Sequence, residues 1–228
     1  MAPNREPRVG GLSREARAVR GYERALDRVL RAGFTSDIDW ALGLASVRPD
    51  RQYVLAEIAW VVLNSGFRYQ IVRRLWPKFR EATYGFDADK IILDRERCRR
   101  RCLQLLNYPG KIDAVLAAAD AVQGDGWKQV VLDAQQPEKL KRLPFVGPVT
   151  CYHLAKSLGV DCVKPDVHLR RAAEAAGFEA PLQLCQAIRD PEEMLRSRLV
   201  LVDIVLWRYG EQRQSRGWPA WSEIFWGR

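Results

Sequence analysis

The stretch Leu140–Arg171, LKRLPFVGPVTCYHLAKSLGVDCVKPDVHLRR, decides how the rest of the chain is understood. Leu140–Gly159 has the pattern of two short helices joined by a tight turn, with Pro144 before the bend and Gly147 in it. Such a turn leaves the N–H groups that open the second helix, those of Val149 and Thr150, without intrahelical partners. Pro148 donates nothing, which the first position of a helix tolerates. Open N–H groups at the positive end of a helix dipole make an anion site, so a phosphate fits there without any base contact. An ordinary helical hairpin is the competing explanation. One loop later, within residues 162–171, Pro165-Asp166-Val167 presents a single carboxylate ahead of another helical run. That placement suits chemistry, with a helix N-cap as the competing explanation, and one Asp can serve both.

Composition sets the partners. The 228 residues carry 37 Lys+Arg against 28 Asp+Glu, a net charge of +9, which favours an anionic partner, nucleic acid before acidic membrane. No apolar run is long enough to span a bilayer. Five cysteines and no signal peptide point to free thiols in a reducing compartment, the cytoplasm. With only His153 and His168 as histidines, no metal site is expected. Cys185 alone lies beyond residue 162, which argues against a clustered-cysteine iron–sulfur centre.

Outward from the central stretch, the periodicity is helical throughout and no alternating strand pattern occurs, so the fold class is all-α. Residues 1–12 are Pro-, Gly- and Arg-rich and form a flexible N-terminal segment. Residues 13–228 are expected to form a single helical domain. A helix from Ser13 carries Val19, Tyr22, Ala25, Leu26, Val29 and Leu30 and stops at Gly33; a short one follows over 36–45. The apolar run Tyr53–Leu63 breaks at Asn64-Ser65-Gly66 and resumes at Ile71, with Pro77 expected to kink or restart the second helix. Residues 87–107 suggest one helix bearing Arg95, Arg97, Arg99, Arg100 and Arg101, either a phosphate track or a solvated face. Gly110 opens a small-residue helix, Trp127–Leu132 forms another, and Pro181–Ile188 and Arg198–Gln212 follow. The aromatic tail packs back onto the domain.

Leu143-Pro144-Phe145-Val146-Gly147 followed by Pro165-Asp166-Val167-His168-Leu169-Arg170-Arg171 resembles the helix–hairpin–helix DNA glycosylases. The Phe145-Val146-Gly147…Cys151-Tyr152 wording, Asn64-Ser65-Gly66-Phe67-Arg68-Tyr69 and Gly110-Lys111-Ile112 are similar to the 3-methyladenine DNA glycosylase I branch, over roughly residues 50–210. The resemblance implies a compact fold with its active site in a cleft between two helical subdomains. It implies a monomer acting on double-stranded DNA, with Asp166 as the catalytic carboxylate and the hairpin (Phe145, Gly147, Val149, Thr150) on a phosphate. Lys111 and Arg170 are further phosphate candidates. Asn64, Phe67, Arg68, Tyr69, Trp60, Trp40 and His168 are candidates for the wedge or base pocket, because a base must leave the stack before its glycosidic bond is reached. For Phe67 and Tyr69 a place in the core is the alternative, and for His168 a structural hydrogen bond is.

Four departures shape the expected chemistry. Val149 occupies the position where bifunctional members carry a Schiff-base lysine, and neither Lys156 nor Lys164 replaces it, so hydrolysis without strand cleavage is expected. Val61 stands where the 3-methyladenine branch has its pocket glutamate, and that branch's zinc ligands have no counterpart here. Asp166, conversely, is absent from that branch and present in the wider family. No cofactor is expected beyond a monovalent or divalent cation at the hairpin phosphate. An alkylated purine such as 3-methyladenine is the first substrate the resemblance suggests. A bulky modified pyrimidine, as in viral DNA, is the second, and a non-catalytic helix–hairpin–helix DNA-binding module is the rival from a different class.

Overall fold

A computed structural model describes residues 12–66 and 69–227. Phe67 and Arg68, two of the wedge candidates, and residues 1–11 of the N-terminal segment lie outside the described residues. The fold is all-α, with no strand among the described residues. The helices are α1 (Arg14–Arg31), α2 (Thr35–Gly43), α3 (Arg51–Asn64), α4 (Tyr69–Ala82), α5 (Ala88–Leu93), α6 (Arg95–Leu105), α7 (Pro109–Val122), α8 (Gly126–Ala134), α9 (Thr150–Ser157), α10 (Val167–Ala176), α11 (Pro181–Ile188), α12 (Leu199–Gln212) and α13 (Trp221–Trp226). Short 3-10 turns lie at Leu44–Ser46, Pro137–Arg142 and Met194–Arg196. The chain divides into two compact units, one running up to Leu42 and resuming at Pro165, the other Gly43–Lys164.

In the first unit α1 begins where Ser13 accepts the Ala16 N–H at 3.1 Å, with Glu15 favouring the first-turn dipole. Its buried face is Ala18, Gly21, Tyr22, Ala25 and Val29, which recur with the helical period. Gly21 permits a close crossing, since a Cβ there would sit 2.1 Å from the Phe225 ring of α13. The central helix is α12, buried from Val200 to Leu206 and again at Tyr209. Arg208 on α12 holds α2 by two bonds to Asp37, at 2.7 and 3.0 Å. The aromatic tail packs within this unit: Trp221 lies 4.7 Å from Tyr209, and the Trp226 indole donates to the Ala175 carbonyl at 2.7 Å.

In the second unit α3 is the core helix. Asp50 caps it by accepting the Tyr53 N–H at 2.7 Å, and Val54, Leu55, Ile58, Ala59, Val61, Val62 and Leu63 are all buried. The alanine-rich face of α7 packs against it, with Ala114, Ala118 and Ala119 small enough to bring the two backbones together. The helix expected over 87–107 is two helices that meet at Asp94. That residue leaves the helical region (φ −122°, ψ 40°), accepts the Tyr84 hydroxyl, and offers its carbonyl to the Cys98 N–H at 3.0 Å to open α6. Pro77 neither ends nor restarts a helix and sits within α4. None of the five cysteines forms a disulfide. Among the described residues no helix is long and apolar enough to cross a membrane.

Candidate functional site

The hairpin departs from the expected helix–turn–helix in two respects. Its first arm is a 3-10 turn, Pro137–Arg142, and the residue in the left-handed region is Phe145 (φ 61°), not Gly147. A side chain in that region costs energy and needs support from its surroundings. The Phe145 ring finds it by lying edge-on to Tyr108, centroids 6.3 Å apart, and over Gly110, where a Cβ would meet Phe145 Cζ at 3.1 Å. Gly147 has a different use. Its N–H donates to Thr150 Oγ1 at 2.7 Å, and its carbonyl accepts the Cys151 N–H at 3.0 Å, which starts α9. A Cβ at Gly147 would touch only Thr150 Oγ1, at 3.8 Å, so the approach to the turn is open. The N–H groups of Val149 and Thr150 make no hydrogen bond to a described residue. They are donors at a helix N-terminus, free to take an anion.

The α3 end is built by a lysine. Lys111, buried at 4 % exposure, donates its ammonium to the carbonyls of Val62 at 2.6 Å, Leu63 at 3.3 Å and Ser65. Burial brings its pKa down to about 8. A cation on the C-terminal carbonyls complements the helix dipole and satisfies groups that no intrahelical donor reaches. Lys111 is thus engaged within the fold at the place the sequence made it a phosphate candidate. Beside it, Asn64 Nδ2 donates to the Trp60 carbonyl at 2.8 Å, while its buried Oδ1 has no partner among the described residues. Trp60 is the middle of an edge-to-face aromatic series, 5.6 Å from Tyr69 and 4.9 Å from Trp76. Tyr69, at the outer end, is 51 % exposed with Arg73 over its ring.

Between α3 and α9 lies a polar cluster that the sequence reading passed over. The Tyr53 hydroxyl donates to the Ser157 carbonyl at 2.9 Å. Burial raises the pKa of Glu57, against the opposing hydrogen bond from Ser157, and pushes Tyr53 up to about 12. His153, partly buried, is held down to about 3, first by burial and then by the positive charges of Lys164 and Lys156. The available signal was a lone carboxylate, Glu57, inside the apolar run of α3.

Asp166, in the other unit, is the N-cap of α10: Oδ1 accepts the N–H groups of His168 at 3.0 Å and Leu169 at 3.1 Å. The residue is partly buried. His168 packs on α12, with its Cβ 2.8 Å from where a Gly210 Cβ would lie. Arg170 and Trp40 are exposed on this unit. Of the arginine run, Arg95 pairs with Asp120 at 2.5 Å, Arg99 with Asp113 at 2.6 Å and Arg101 with Glu81 at 3.3 Å, which ties α6 to α7 and α4. Among the described residues no group of three or more His, Cys, Asp or Glu is gathered to hold a metal ion. No family model, curated relative or solved structure matches the chain.

Two outcomes follow from this geometry. Lys111→Met leaves the α3 carbonyls without their donor and is expected to lower unfolding free energy by about 2 kcal/mol in denaturant titration; an unchanged midpoint would remove the capping role. His153 is neutral in the folded chain below the pH at which a free imidazole protonates. Between pH 6.5 and 5 the unfolded chain therefore binds a proton the folded chain refuses, and stability falls on acidification, by about 2 kcal/mol over that window. His153→Gln should flatten this slope, and an identical slope in the variant would contradict it.

Proposed function

We propose that the protein is a monofunctional DNA glycosylase of the helix–hairpin–helix kind. It would extrude a damaged or modified base and hydrolyse the N-glycosidic bond, leaving an abasic site. The observation that carries the reading is the pair of open N–H groups of Val149 and Thr150, in a chain that presents Asp166 at the head of α10. The N–H pair takes a strand phosphate, and the net charge of +9 favours the duplex as a whole. As the glycosidic bond breaks, the base departs with the electron pair and positive charge develops on the sugar. The Asp166 carboxylate stabilises that charge, orients a water molecule toward C1′ and accepts its proton. Val149 has no amine to form a Schiff base, so the strand stays intact.

Contacts to the extruded base are assigned to the α3 end. Trp60 and Tyr69 offer ring faces or edges to the base, with Asn64 beside them on the last turn of α3. An alkylated purine is the first substrate to test and a bulky modified pyrimidine the second. The non-catalytic reading has one observation in its favour: Asp166 Oδ1 is already employed in capping α10.

Asp166→Asn separates the two readings, because asparagine caps a helix as well as aspartate does but carries no charge. On duplexes bearing candidate bases, developed with alkali, the wild type should yield nicks only after alkali. The variant should lose about a hundredfold or more in rate, at unchanged DNA affinity. Full activity in the variant would overturn the mechanism, and no base release by the wild type from any duplex would leave the DNA-binding module.

A further inference from the structure

The unit that contains α1 and α13 carries a second feature, unrelated to the hairpin. A groove of ≈ 700 Å³ is lined by Arg24, Arg28 and Arg31 of α1, by Arg216 and Trp218 after α12, and by Ile224 of α13. Its volume falls within the range of small-molecule sites. The α1 arginines recur at four and three residues, which places them on one face of the helix. All four arginines are exposed.

The charge in the groove is only partly used. Two carboxylates line it as well, Asp27 and Glu223. Asp27 pairs with Arg31 at 2.8 Å, and Glu223 Oε1 accepts the Ala220 N–H at 2.8 Å to open α13. Arg24 donates to the Ile224 carbonyl at 2.9 Å and Arg216 to Gln212 Oε1 at 3.0 Å, both neutral partners that leave the positive charge uncompensated. The Arg28 carbonyl accepts the Ala32 N–H at 3.0 Å, while its guanidinium makes no hydrogen bond or ion pair to a described residue. Four guanidinium groups thus face two carboxylates, one of which is already paired. At the same wall the Trp218 ring is partly exposed and held in place by Tyr209, 5.1 Å away between centroids.

We propose that this groove binds a nucleotide unit: a phosphate on the α1 arginines and a flat base on Trp218. Guanidinium forks match phosphate oxygens, and an indole face gives base stacking without selecting one base. A bare anion would need no ring, and an apolar ligand would need no arginines. The unit is either a free nucleotide or one residue of a DNA strand, and the same chemistry serves both. The inference is independent of whether Asp166 cleaves anything.

The test uses the full chain. Calorimetric titration with deoxyadenosine 5′-monophosphate and with inorganic phosphate reads the free-ligand arm; anisotropy of a labelled single-stranded oligonucleotide at several salt concentrations reads the strand arm. Arg28 is exposed and its side chain pairs with no described carboxylate, so Arg28→Glu breaks no ion pair; it lies in the last turn of α1, so a small drop in thermal midpoint is expected with the helical circular-dichroism signal unchanged. Lys128→Glu, exposed in the other unit, controls for the same change in net charge. Arg28→Glu should weaken the ligand about tenfold and reduce the salt slope by about one, with Lys128→Glu close to wild type. Trp218→Phe should weaken the mononucleotide and leave inorganic phosphate unaffected. Binding of the mononucleotide that depends on Arg28 assigns a free nucleotide. Dependence on Arg28 for the oligonucleotide alone assigns a strand. Affinities indifferent to Arg28 in both arms, or phosphate binding as tightly as the mononucleotide, would overturn the proposal.

Discussion

One buried cation holds the Gly43–Lys164 unit in register. The Lys111 ammonium sits under the carbonyls of Val62, Leu63 and Ser65, so the end of α3 and the start of α7 are fixed to each other. A helix that ends inside a protein must find donors for its last carbonyls, and water cannot supply them where the residue is 4 % exposed. With that end fixed, Trp60 and Asn64 keep their places on the last turn, and Tyr69 begins α4 against the Trp60 ring. The start of α7 matters to the hairpin as well: Tyr108 and Gly110 flank Lys111 and make the seat for the Phe145 ring. Removing the cation would disturb both features assigned to DNA.

The hairpin and Asp166 contribute different things. In the proposed function the Val149 and Thr150 N–H groups hold a phosphate independent of sequence, and a binder needs nothing more. Phe145 shows that the turn is held under local strain, with a non-glycine residue in the left-handed region and its ring clamped over Gly110. Asp166 adds a carboxylate whose capping bonds fix its orientation before any ligand arrives, which is the kind of preorganisation that electrostatic catalysis requires. Capping and catalysis are compatible, because two N–H donors on one oxygen orient the carboxylate and leave its charge in place.

Much of the fold was legible because it rests on local rules. Ser13 and Asp50 announce the starts of α1 and α3, and the three-and-four spacing of Tyr22, Ala25 and Val29 announces the buried face of α1. The break at Asp94 was not legible, since nothing in the arginine-rich run 95–101 signals that a tyrosine ten residues upstream will draw that carboxylate out of the helix. Lys111 followed by Ile112 reads as a surface cation, because the carbonyls it caps lie nearly fifty residues away in the chain. Gly147 marks the turn in the sequence, but the residue in the left-handed region is Phe145, supported there by the contact of its ring with Gly110. The α1 arginine stripe had a visible period in the sequence, but its meaning depends on Trp218 and Arg216 folding back against it.

The proposed reaction is the breaking of an N-glycosidic bond. Mass spectrometry of the free bases released from a panel of alkylated, oxidised, deaminated and bulky-pyrimidine duplexes tests it most directly. One class of base should appear intact in solution, matched one for one by abasic sites in strands that remain continuous. Tight, salt-sensitive binding to every duplex with no free base from any of them would contradict it.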